Sequence, residues 1–253
     1  MLGRAAGIIG AMSVAAVFYI LLICGLIPYA SIRSARALDR GAKLPDFKRH
    51  VYSALTVQAY MLISALVVAQ QIEIDDAHAT LLSSLFPRPH FEWKFVWVGL
   101  AALAVTLGTL PIRRRFVSDA LKRRLYQRMP KTPRQLGGWS TVSLAAGFGE
   151  EVVYRGVLFN ILAYTLHGWW PAAIICSAVF AIAHVIQGWF VAGCIFLFAV
   201  GFHGMVWYCG DLYTAMVVHF VYDLVIGIII GFWLRPPPEV EPASAPDKAG
   251  ITR

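Results

Sequence analysis

The sequence predicts an all-α fold, a polytopic bundle of about seven membrane-spanning helices. Three observations carry that reading. Apolar residues make up 58% of the 253 residues and charged residues only 14%, a composition unlike that of soluble domains. Uncharged runs of roughly the 20 residues needed to cross a bilayer recur along the chain. The 22 Lys and Arg residues are concentrated between those runs, six from Arg33 to Arg49 and nine from Arg113 to Arg134.

The first run, Gly7 to Ile32, is followed by no small-residue cleavage site and reads as a span rather than a removable signal. The others are Val51 to Ile72, Phe91 to Pro111, Trp139 to Thr165, Trp169 to Gln187, Gly188 to Cys209 and Leu212 to Leu234, with only Gln187 and Gly188 separating the fifth from the sixth. Between spans three and four, Phe116, Val117, Leu121, Leu125 and Tyr126 recur near helical spacing in a basic segment. That pattern fits an interfacial amphipathic helix on anionic lipid, with a solvated positive loop as the alternative. Trp139, Trp169, Trp170 and Trp233 stand at span ends and read as interfacial anchors. Pro236, Pro237, Pro238, Pro242 and Pro246 make the tail from Arg235 a flexible, non-helical extension.

Charge sets the expected orientation. The two basic loops belong on the cytoplasmic side, and the loop with Glu73, Asp75 and Asp76 on the other, which puts the N-terminus outside and the C-terminus inside. Short loops point to a prokaryotic plasma membrane. The net charge of +8 is accounted for by these loops and does not indicate nucleic acid. Cys24, Cys176, Cys194 and Cys209 lie in apolar stretches with no Cys-x-x-Cys pair, and read as buried, reduced thiols. The chain divides by chemistry into a three-span region (1–138), a four-span core (139–234) and a tail (235–253). Spans one to three contain no ionisable residue at mid-depth; spans four to seven hold the polar set, with His167 at a span end.

A charge at mid-bilayer costs about 2.5 to 3.5 kcal/mol on insertion scales, so such residues are kept for a task. Glu151 and Arg155 are four apart on one helix face, where an ion pair lowers the cost of burying both. Glu150 points about 100° away and lacks that partner. Neighbouring carboxylates in different surroundings can take different roles, one held ionised and the other suited to a general base. His184 follows Phe180 by one turn, and His219 precedes Asp223 by one turn, so each pair shares a face. His203 reads as a packing or hydrogen-bonding residue, and Gly227 with Gly231 as a small-residue seam within the bundle.

The order Glu-Glu-x-x-x-Arg, Phe-x-x-x-His, His-x-x-x-Asp on successive late spans resembles the CPBP family of intramembrane proteases, which includes the type II CAAX prenyl endopeptidases. The resemblance covers Trp139 to Phe232; the first three spans carry no matching motif. It implies that Glu150, with His184, activates a water for attack on a peptide carbonyl, and that Arg155 orients Glu151. It also implies that His219 and Asp223 stabilise the oxyanion or orient the water. The sequence departs from the prenyl endopeptidases at Asp223, where asparagine is usual. An ionised aspartate cannot donate to an oxyanion, so Asp223 is protonated, orients His219 or binds a metal. A metal-free glutamate mechanism needs no cofactor; zinc on His184, His219 and Asp223 would use the same side chains.

The implied partner is a membrane-anchored or lipidated protein or peptide, acted on by a monomer or weak homodimer. His-Glu-x-x-His, Gly-x-Ser-x-Gly and a presenilin-like aspartate pair are missing from the sequence. Two other classes remain open: a proton-coupled transporter, since carboxylates and histidines also build proton relays, and a noncatalytic scaffold or immunity-type protein on the same fold.

Overall fold

The computed structural model describes residues 13–74 and 79–236, and these are helical apart from short connections and one isolated bridge between Glu73 and Thr80. The helices are α1 (Val14–Asp39), α2 (Phe47–Gln71), α3 (Leu81–Leu85), α4 (Trp93–Arg115), α5 (Asp119–Arg128), α6 (Pro133–Glu150), α7 (Phe159–Thr165), α8 (Trp169–Ala183), α9 (Trp189–Cys209) and α10 (Tyr213–Trp233). Between α6 and α7 the chain stays helical but widens to a π-helical segment, Glu151–Leu158.

Five helices, α1, α2, α4, α9 and α10, are long and apolar enough to cross a membrane. Many of their large side chains face outward, among them Phe18, Trp97, Leu100, Leu197 and Val217, as expected where lipid is the solvent. The two remaining expected spans depart for physical reasons. α8 ends at Ala183, and its 15 residues rise only about 22 Å. His184 caps it, a single turn Val185–Gln187 follows, and Gly188 adopts φ +100°, which a side chain would resist. The helix expected from Trp139 begins six residues earlier at Pro133, with Thr132 Oγ1 accepting from the Gln135 amide as its cap.

α6 is the centre of the bundle, packed most extensively against α10 and α2. Small residues allow this. A Cβ on Gly147 would stand 2.7 Å from the Phe220 amide nitrogen and 3.0 Å from the Met216 carbonyl oxygen of α10. One apolar cluster joins Tyr19 and Ile23 of α1, Met61 and Val68 of α2, Val152, Tyr154 and Leu158 of the π segment, Phe180 of α8 and Met216 of α10. The Tyr19 hydroxyl donates to the Val153 carbonyl at 2.7 Å, satisfying backbone inside the widened helix.

Other expectations meet the structure with different outcomes. Trp139 is 8% exposed rather than an interfacial anchor; its Nε1–H donates to the Asp223 carbonyl at 2.9 Å and its ring lies where a Cβ on Gly227 would sit. Gly231 likewise faces the Pro130 carbonyl, so the glycine seam is filled from within the chain. The basic segment does contain a helix, α5, capped by Ser118; Lys122 bonds Asp119 at 2.9 Å and holds its carboxyl below the usual range. Arg113, counted with that basic loop, folds inward at the end of α4 and is 7% exposed. The start of the first run (residues 7–12), Asp75, Asp76 and the tail from Pro237 lie outside the described residues.

Candidate active site

Glu150 ends α6 and Glu151 opens the π segment, so the two carboxylates leave the helix at the point where its pitch changes. Glu151 is fully buried. Its Oε1 accepts from Arg155 Nη1 at 3.1 Å and from His219 Nδ1 at 2.7 Å. The Arg155 guanidinium carbon lies 4.6 Å from the Phe180 ring centroid and 5.4 Å from that of Phe202. An ion pair closed by two aromatic faces compensates a charge that could not otherwise stay in this core.

Glu150 is held differently. Its Oε1 accepts from the Gln58 side-chain amide at 2.5 Å, while its Oε2 has no hydrogen-bond partner among the described residues. His219 Nε2 stands 3.7 Å from Glu150 Oε2 and 3.7 Å from Asp223 Oδ2, both beyond a direct hydrogen bond. A carbonyl oxygen only accepts, so His184 must donate its Nδ1–H to Phe180 O at 2.8 Å, which leaves Nε2 as the lone-pair nitrogen of the neutral ring. The His184 ring packs on Phe180, centroids 4.5 Å apart.

These side chains meet at one cavity of about 230 Å³. Glu150, Arg155, His184, His219 and Asp223 line it, with Val191, Ile195, Phe198 and Phe202 giving it an apolar wall. Glu151 sits behind, reaching the cavity through His219 and Arg155. Carboxylates of two kinds, a tautomer-fixed imidazole and a second imidazole tied to a buried carboxylate can together activate water and bind developing negative charge. α5 covers one side: Leu121 occupies the space beside Gly188, after the His184 turn, and Lys122 and Leu125 are part of the lining.

Zinc on His184, His219 and Asp223 is the alternative to a metal-free site. Among the described residues no three His, Cys, Asp or Glu side chains gather as a group that could hold a metal ion. Nδ1 of His184 bonds a carbonyl and Nδ1 of His219 bonds Glu151, so each ring has Nε2 left for another partner.

His203 is 3% exposed and packs against Phe159, ring centroids 5.0 Å apart, away from the cavity lining. Three contributors went unread in the sequence: Gln58, Arg113 and Trp139. Gln58 had one signal, an amide within an apolar stretch of α2. Arg113 was masked by its basic neighbours, and Trp139 by its position at a span end.

Residues 132–225, a little over a third of the chain, match the model of a protein family described as type II CAAX prenyl endopeptidase Rce1-like. Neither a curated protein nor a solved structure matches the chain. The family match implies protease chemistry of the CAAX type, and with the five apolar helices it makes the chain an integral membrane protein.

Proposed function

From the match of residues 132–225 to the Rce1-like family, we propose that the chain is an intramembrane endopeptidase whose water is activated by Glu150 and His184. The observation that carries the reading is the contrast between adjacent carboxylates. Each has one oxygen without a hydrogen-bond partner among the described residues, but Glu150, held through Oε1 by Gln58, lines the cavity, whereas Glu151, whose Oε1 accepts from Arg155 and His219, sits behind it.

In this reading a water donates one hydrogen bond to Glu150 Oε2 and another to His184 Nε2. Glu150 takes its proton as the oxygen attacks the peptide carbonyl carbon. The tetrahedral oxyanion is met by an N–H from protonated His219 Nε2, whose ring is aimed by its Nδ1–H bond to Glu151. The separations of 3.7 Å from Nε2 to Glu150 and Asp223 suit an oxygen lying between them. Collapse breaks the C–N bond, and the proton held by Glu150 passes to the leaving nitrogen. Asp223 acts as an orienting group for His219, so no step calls for a metal.

The apolar wall favours a membrane-anchored or lipidated peptide. The basic loops favour a cytoplasmic placement beside anionic lipid, with the N-terminus outside and the C-terminus inside. The test is cleavage of a panel of lipidated and transmembrane reporter peptides by the purified protein, with and without chelator. Chelator-resistant cleavage that disappears in Glu150→Gln is expected; chelator-sensitive cleavage restored by zinc contradicts the metal-free reading.

A further inference from the structure

The cavity wall also holds a guanidinium with no anion beside it. Arg113, 7% exposed, lines the same cavity as Glu150, His184, His219 and Asp223. Its Nη1 and Nη2 each donate to the Tyr222 hydroxyl at 3.1 Å, and Nη2 donates to the Thr106 carbonyl at 2.9 Å. The guanidinium carbon lies 5.2 Å from the Phe198 ring centroid. Its Nε–H is buried and has no hydrogen-bond partner among the described residues. Ion pairs neutralise Arg155 with Glu151 and Arg124 with Asp39, but no ion pair among the described residues includes Arg113.

A phenol, a carbonyl and an aromatic face hold the guanidinium in place without cancelling its charge. A tie between α4 and α10 would need only the donors that Thr106 and Tyr222 use. It would need neither the charge nor the unused Nε–H. A buried cation in an apolar cavity is compensated when an anion enters, and arginine's planar donor array suits a carboxylate.

We propose that Arg113 is a substrate-binding residue that receives a carboxylate of the peptide in the cavity. This rests on the peptidase reading, since a peptide brings carboxylates of two kinds, its chain terminus and its acidic side chains. Tyr222, which anchors Arg113, is the neighbour of Asp223 on α10, so the carboxylate site and the His219–Asp223 pair are set by one helix. Position relative to the anchored carboxylate then selects which peptide bond meets Glu150.

The test uses the full-length protein in detergent carrying Glu150→Gln, so that no turnover intervenes, with octanoate and octanamide as probes. Octanoate is expected to raise the thermal midpoint more than octanamide does. Arg113→Gln removes that difference and Arg113→Lys retains part of it. Equal effects of the two probes on the parent protein, or an unchanged octanoate preference in Arg113→Gln, would overturn the proposal. Should Arg113→Gln not fold, the comparison of probes on the parent and on Arg113→Lys decides. In the active protein, reporter peptides as free acid, as C-terminal amide and with acidic side chains neutralised separate the two sources. The favoured carboxylate gives about a tenfold lower KM, an advantage worth about 1.4 kcal/mol, and Arg113→Gln abolishes it. Probe binding needs no bond cleavage, so a failure of the peptidase reading is distinguishable from a failure of this one.

Discussion

Gln58→Leu removes the donor on Glu150 Oε1 while leaving every group of the Glu-Glu-x-x-x-Arg motif in place. A hydrogen bond to a charged group is worth about 1.5 to 3 kcal/mol, so kcat should fall roughly 10- to 100-fold, read by steady-state cleavage of a reporter peptide. Arg155→Ala acts on stability instead. It strands Glu151, which is fully buried, and should cost about 3 to 5 kcal/mol, measured by denaturation in detergent; Arg155→Lys should recover part of this. The motif residues were legible because charges within apolar runs are conspicuous and a spacing of four puts side chains on one face. Gln58 and Arg113 were not, because what makes them part of the cavity is contact with another helix: Glu150 lies 92 positions from Gln58, and Tyr222 lies 109 from Arg113.

At the scale of elements, the site depends on how closely α6 approaches α10. Gly147→Ala places a methyl against the backbone of Phe220 and Met216, which cannot yield as a side chain tip would. It should push α10 outward, separate His219 from Glu151, and reduce both thermal stability and cleavage. Gly193→Ala in α9, where a Cβ meets nothing within 4 Å, is the matched control and should leave both near wild type. Hydropathy located the helices but not their ends. α8 stops at Ala183 because the chain turns through His184 and the left-handed Gly188, a local backbone choice that an apolar run does not record. The widening of the helix at Glu151 was invisible for a similar reason. It depends on Tyr19 of α1, brought alongside to bond the Val153 carbonyl.

For the whole molecule, the apolar core joins the first two helices to the motif-bearing half, and α2 supplies a direct partner to Glu150. The proposed orientation is open to cysteine labelling in intact cells: with the native cysteines replaced, single cysteines at Lys43 and Lys131 should be shielded from an impermeant reagent, and one at Arg88 should react. Labelling in the reverse pattern would invert the topology. The central claim is that Glu150, not Glu151, is the general base. Its most direct measurement is single-turnover cleavage of one reporter peptide by purified wild type, Glu150→Gln and His184→Ala, with folding of each checked by thermal melting. The account predicts that both variants melt near wild type and lose cleavage by several orders of magnitude, whereas folded variants that retain wild-type cleavage would contradict it.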